Sequence, residues 1–156
     1  AASDVYKRQL ISIPDTRFYH CNIKTLNLIP NVMAAQQASE AGCNETVFVR
    51  DGYVTECSHS NISMVKDGVF ITHPLDDLIL PGTERKHIIR WCGELGIPVK
   101  ERAFTLEELY TADEILVTST SHPSMRAMEL NQKAVGMKNP ELIQKLRDKY
   151  LNEIGK

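Results

Sequence analysis

The sequence predicts an α/β fold, a mixed and partly barrel-like sheet with surrounding helices. Three observations point there. Segments with the period of two of a strand alternate with segments of helical period. Two strand pairs are punctuated by Asp51-Gly52 and Asp67-Gly68, turn dipeptides of antiparallel hairpins, which disfavours a purely parallel doubly wound sheet. No repeat, low-complexity stretch or Pro/Gly-rich linker divides the 156 residues, a length that supports one domain with a real core.

Residues 1–9 are polar and aperiodic and are read as a non-native tail, leaving a domain at 10–156. Read this way, the chain is truncated. Leu10 to Ile13 is β-branched and apolar, a strand. Thr16 to Ile23 mixes aromatic and polar residues and is read as extended. Pro30 to Ala41 is a helix: proline suits its first turn, alanines fill it, and Gly42 follows as a cap. Thr46–Arg50 and Tyr53–Glu56 form one hairpin, Asn61–Val65 and Val69–Thr72 a second. Thr83 to Leu95 is a helix with Ile88, Ile89, Trp91, Cys92 and Leu95 on its apolar face, stopped by Gly96. Pro98 to Phe104 reads as a strand. Thr105 with Glu108 is a capping-box pattern for a short helix. Glu114 to Thr118 is a strand that runs into a polar loop, Ser119 to Pro123. Asn139-Pro140 opens a last helix to about Ile154.

A composition of 42% hydrophobic and 24% charged residues, with a formal net charge of −2, is that of an ordinary globular protein. It lacks the basic excess of a nucleic-acid or membrane surface. The longest apolar runs, such as Ile115 to Val117, are too short to span a bilayer, and no secretory leader is visible. Cys21, Cys43, Cys57 and Cys92 form no C-x-x-C pair and no metal-ligand spacing, so they read as reduced thiols in a cytoplasmic protein. Cys57 is the one to watch, for its neighbours.

Four polar segments carry candidate chemistry. Lys24 lies in Cys21-Asn22-Ile23-Lys24-Thr25-Leu26-Asn27; alone, such a lysine is an ordinary surface charge. Thr55-Glu56-Cys57-Ser58-His59-Ser60-Asn61 is a polar cluster at a hairpin end, by itself a plain turn. Leu80-Pro81-Gly82-Thr83-Glu84-Arg85 opens a helix, whose free N–H groups and positive dipole end suit phosphate. Thr118-Ser119-Thr120-Ser121 ends a strand with hydroxyls and backbone donors.

Together, in order and spacing, these segments resemble the class IV aminotransferases, the fold-type-IV family of pyridoxal 5'-phosphate (PLP) enzymes. The match runs from about Leu10 to the C-terminus, and the E-C-S-H-S-N form is most like D-amino acid aminotransferase. The resemblance implies the C-terminal, cofactor-binding domain of such an enzyme. It implies Lys24 as the Schiff-base lysine and proton shuttle, an amine whose pKa burial beside the cofactor would depress. Glu56 would hold the pyridine nitrogen protonated. Gly82, Thr83, Glu84, Ser119 and Thr120 fall on the phosphate cup, Leu80 against the ring face, and Ser58, Ser60 and Asn61 in the loop beside Glu56. The activity implied is transamination between an amino acid, such as D-alanine, and a 2-oxo acid, such as 2-oxoglutarate, in a homodimer when full length. An aminodeoxychorismate lyase on the same fold and a non-catalytic PLP-binding fragment are the alternatives.

Ser63 stands where the family usually has an aromatic residue, and Gly82-Thr83-Glu84-Arg85 where it has G-I-T-R. A carboxylate turned toward the phosphate would repel it, so Glu84 is expected to point to solvent. The loop from Ser121 to Arg126 also departs from the family. The smaller N-terminal domain, which gives the family a phosphate arginine and groups for the substrate carboxylate, is expected to be missing. Arg17 matches a family arginine but is read as structural. His20, His73, His87 and His122 are read as structural or surface, His59 as near the site, and Trp91 as core.

Overall fold

A computed structural model describes residues 7–154. The expectation for residues 1–6 lies outside the described residues, as does that for the side chain of His122.

The chain runs β1 (Lys7–Pro14), α1 (Ile29–Glu40), β2 (Glu45–Arg50), β3 (Tyr53–Cys57), β4 (Asn61–Lys66), β5 (Val69–Thr72), α2 (Thr83–Glu94), β6 (Val99–Glu101), β7 (Phe104–Thr105), α3 (Leu106–Thr111), β8 (Glu114–Ser119), β9 (His122–Leu130), β10 (Lys133–Ala134) and α4 (Pro140–Glu153). The expected hairpins and the longer helices are present. Asp51 and Asp67, followed by Gly52 and Gly68, all take positive φ, the conformation such two-residue turns demand. Thr105 caps α3 in a full capping box with Glu108. In α4 the side chain of Asn139 accepts from the Leu142 N–H.

The strands form one mixed sheet in the order β6-β5-β4-β8-β9-β1-β2-β3-β7, with β10 beside β9. β1 is parallel to both β2 and β9, and β5 to β6; the other pairs are antiparallel. β6 and β7 stand at opposite ends of this order, yet only Arg102 and Ala103 separate them in the chain. The three Cα–Cα steps from Glu101 to Phe104 reach no more than about 11 Å when extended, so the sheet must curl until its ends approach. The three-residue link between β3 and β4 imposes the same closure. The result is a curled half-barrel with helices packed around it.

Two apolar clusters fill the two faces. Leu10, Val47, Val54, Ile62, Met64, Phe104, Leu109 and Ile115 belong to one. Val65, Phe70 and Leu116 pack with Ile88, Trp91 and Cys92 of α2 and Leu142 and Leu146 of α4 in the other. Neighbours such as Met64 and Val65, or Ile115 and Leu116, thus point to opposite faces, and both faces are buried. That is why these strands read as unbroken apolar runs rather than as alternation.

Four expectations are corrected. β1 starts at Lys7, and Lys7, Arg8 and Gln9 pair with β9, so the strand reaches into the segment set apart above. Residues 16–23 hold no strand; the chain bends at Tyr19 and turns over 21–23. The strand expected over Pro98–Phe104 is two short strands on different partners, because the chain crosses between the sheet's ends there. The polar loop after Thr118 is a tight turn at Thr120 and Ser121 leading into the nine-residue β9. Ala127, Met128, Glu129 and Leu130 are good helix formers, and that composition hid a strand fixed by pairing with β8 and β1.

Candidate active site

Lys24, Glu56, Ser58, Ser60, Asn61, Leu80, Gly82, Thr83, Glu84, Ser119 and Thr120 all line a single cleft of about 560 Å³. Its walls are the β1–α1 loop with Lys24, the β3–β4 turn, the segment entering α2, and the end of β8. Register explains the convergence: Asn61 pairs with Thr118, which sets the start of β4 beside the end of β8. The volume lies in the range of small-molecule and cofactor sites.

Glu56 is the best-anchored group. Its Oε1 accepts from Arg17 Nη1 at 2.5 Å, and its Oε2 from Asn61 Nδ2 at 3.1 Å and the Leu80 N–H at 3.0 Å. Burial pushes its carboxyl up to about 7, against the pull of the Arg17 guanidinium and the Leu80 N–H. Arg17 is itself buried. It donates Nε and Nη2 to the two oxygens of Asp15 at 2.9 and 2.8 Å, and Nη2 also to the Leu78 carbonyl at 3.0 Å. Its guanidinium lies 4.4 Å from the centre of the Phe48 ring. Arg50 completes the cluster, with Nη2 3.1 Å from Asp15 and bonded to the Arg17 carbonyl. Two carboxyl groups thus face two guanidiniums, so the buried polar groups of this network partner one another. The Arg17 ion pairs hold its proton more tightly than usual, and they hold the Asp15 carboxyl low despite burial.

The 58–60 turn is fastened by Glu45, for which no sequence motif offered a signal. Its Oε1 accepts from the Ser58 N–H at 3.1 Å and from the Ser58 hydroxyl, and its Oε2 from Ser60 Oγ at 3.3 Å. His59 is mostly exposed, with Nδ1 2.9 Å from Ser58 Oγ. Asn31 of α1 donates to the Ser58 carbonyl at 2.8 Å, tying the helix after Lys24 to the turn after Glu56.

At the entry to α2, Gly82 is an extended N-cap without a side-chain bond to the first turn. The leading N–H groups therefore lack a side-chain acceptor at a positive helix end. A Cβ on Gly82 would sit 2.2 Å from Asn61 Oδ1, so only glycine lets this turn approach Asn61. Arg85 faces away, donating to the His73 carbonyl at 2.9 Å and to Glu101 at 2.6 Å. Across the cleft, Ser119 Oγ lies 3.3 Å from Ser121 Oγ.

Lys24 is exposed on the cleft wall. Glu84 departs from expectation: read as pointing to solvent, it is 6% exposed, with Oε2 enclosed and unpartnered. Burial raises its carboxyl pKa, against the influence of His87. Cys57 is fully buried and its thiol is pushed well above the usual range by burial, then by Glu45 and Glu56; it is inert core. His73 is buried, hydrogen-bonded to the Val54 carbonyl at 3.1 Å and to Asp76 at 2.8 Å. Trp91 is core, stacked on His87 at 5.6 Å. Asp15, Arg50 and Glu45 were not singled out from sequence. For Asp15 a signal existed: aspartate two residues before arginine forms an Asx-type turn, and the Arg17 N–H does donate to Asp15 Oδ1 at 3.1 Å.

The chain is similar to proteins curated as D-alanine aminotransferases. It is 42% identical to that of Listeria monocytogenes serotype 4b over 147 residues, 93% of this chain and 50% of the relative. It is 37% identical to that of Bacillus licheniformis over 151 residues, 94% of this chain and 53% of the relative. It therefore spans about half the length of the curated relatives it matches. Among solved structures, the branched-chain amino acid aminotransferase of Thermobaculum terrenum in its PLP form superposes with a TM-score of 0.86 at 25% identity, over 93% of this chain and 50% of that one. The family described as amino-transferase class IV matches residues 3–130, a span that holds every segment lining the cleft, and the chain belongs to that family.

Proposed function

We propose that the protein binds PLP through Lys24 and serves transamination between an amino acid, a D-amino acid such as D-alanine, and a 2-oxo acid such as 2-oxoglutarate. The observation that carries this reading is the meeting of Lys24, a buried carboxylate and an uncapped helix N-terminus in one cleft. The residues present fit the cofactor. The first N–H groups of α2 carry no side-chain cap from Gly82, and with the Ser119 and Thr120 hydroxyls they are donors suited to phosphate. Glu56 fits the ring nitrogen. An ionised carboxylate has about four acceptor sites, and the three bonds from Arg17, Asn61 and Leu80 leave one.

When bound, PLP supplies an electron sink for the electrons left at the substrate α-carbon. The Lys24 amine would move the α-proton, which requires it to reach that carbon unprotonated. Glu56, fixed by its three donors, would hold the proton on the ring nitrogen. Leu80 would press on the ring face, and Asn61 would keep both Glu56 and the Gly82 turn in place through Nδ2. The choice of a D-amino acid rests on the relatives curated as D-alanine aminotransferases.

The test is borohydride reduction of the PLP-treated protein followed by peptide mapping, with spectra recorded on adding D-alanine or L-alanine. A label on Lys24 and a spectral change with D-alanine first are expected. A label on another lysine, or none, would refute the site; a preference for the L-enantiomer would refute the substrate.

A further inference from the structure

Glu56 is held from behind by a pair that the transamination reading leaves unassigned. Arg17 reaches Glu56 Oε1 with Nη1 at 2.5 Å and commits Nε and Nη2 to Asp15. Asp15, whose side chain is wholly enclosed, also takes a bond from Thr55 Oγ1 at 2.9 Å and the ion pair from Arg50 at 3.1 Å. Thr55 precedes Glu56 on β3, so the pair grips the strand as well as the carboxylate. A guanidinium has five donors in a fixed fork. Here the fork is oriented by a bidentate carboxylate on one side, which leaves Nη1 aimed at Glu56.

We infer that Asp15 and Arg17 are positioning residues that set the charge of Glu56: Arg17 pulls it toward the anion in a buried site, and Asp15 sets how much of the guanidinium's charge reaches it. Two physical arguments carry this. A carboxylate taken out of water is neutralised unless a cation or several donors hold it ionised. A neutral Glu56 could not hold a proton on a ring nitrogen by charge. A single buried arginine shared between two carboxylates divides its attraction, and Asp15, as a second anion, acts on Glu56 with the opposite sign. Of the other ionisable groups nearby, Arg50 engages Asp15 rather than Glu56, Cys21 and Cys57 are thiols held neutral by burial, and Lys24 lies on the exposed wall of the same cleft.

The inference rests on the proposed role of Glu56 toward the cofactor, so the experiment has two arms. In the first, the 156-residue protein is labelled with glutamate carrying 13C at its side-chain carboxyl. The Glu56 resonance is assigned by its loss in Glu56→Gln and followed through a pH titration without cofactor. Arg17→Gln should move the Glu56 midpoint upward, and Asp15→Asn should move it downward. A merely structural role predicts shifts of the same sign, through shared loosening. An unchanged midpoint in either variant, or equal signs, overturns the inference. If Arg17→Gln does not fold, Asp15→Asn decides alone, and a rise in its midpoint overturns it.

In the second arm, binding of PLP is compared with that of 1-deaza-PLP, in which carbon replaces the ring nitrogen. The wild-type protein should prefer PLP about tenfold or more, and Arg17→Gln should reduce that preference to within about twofold. No preference in wild type, together with the expected carboxyl shifts, places the failure in the cofactor reading of Glu56. A preference fully retained in Arg17→Gln overturns the role of Arg17.

Discussion

Replacing Gly82 by alanine tests the geometry of the cleft at its tightest point. The residue has φ −67° and ψ 142°, which alanine adopts freely, so backbone strain is not the issue. The new Cβ would lie 2.2 Å from Asn61 Oδ1 and 3.3 Å from its Cγ. The Asn61 side chain must swing away, and its two bonds, to Glu56 Oε2 at 3.1 Å and to the Leu80 carbonyl at 2.9 Å, go with it. A hydrogen bond to a charged group contributes about 1.5–3 kcal/mol and one between neutral groups about 0.5–1.5. Against this, alanine stiffens the unfolded chain by about 0.4–1 kcal/mol. The expected net destabilisation is about 2–3 kcal/mol, a large share of the roughly 5–15 kcal/mol typical of a domain. Urea unfolding reads it as a lower midpoint at constant m. Asn61→Ala should cost a similar amount alone, but the double variant should cost little more than Asn61→Ala, because the clash has gone. A neutral Gly82→Ala, or strict additivity in this cycle, would refute the reasoning.

Thr105→Ala removes the α3 capping box and should cost about 1 kcal/mol, checked by the same unfolding. Under native conditions a thiol reagent should modify Cys21 and Cys43 and spare Cys57 and Cys92, since burial pushes the Cys92 thiol to about 12 and that of Cys57 well above its usual value; rapid labelling of four thiols would contradict the packing. The Asp15 carboxyl is held below its ordinary 3.8 in the folded protein. Its contribution is therefore present above that value and lost as pH falls through the lower folded value; acid unfolding curves should be flatter for Asp15→Asn than for wild type below about pH 4.

Local chemistry was legible in the sequence where a few neighbouring residues settle the conformation. The Asp-Gly turns, the proline and glycine bounds of α1, and the Thr105–Glu108 box each act within a span of four residues or so, and each formed as written. Order and spacing along the chain singled out Lys24, Glu56, the Gly82 turn and Ser119-Thr120, and all of them line one cleft. Tertiary structure decided what lay between chains of contacts. β9 is a strand because β8 and β1 flank it, against the helix preference of its own residues. The stretch after Val99 breaks in two because the sheet's ends must meet there. Glu84 is buried because the first turn of α2 lies against the cleft wall, although its charge and helical position suit solvent. Arg17 and Asp15 lie close together in sequence, but the partner that gives them meaning, Glu56, lies 39 residues beyond Arg17. Such a pairing depends on which strands become neighbours, and that is fixed by burying both faces of one curled sheet at once.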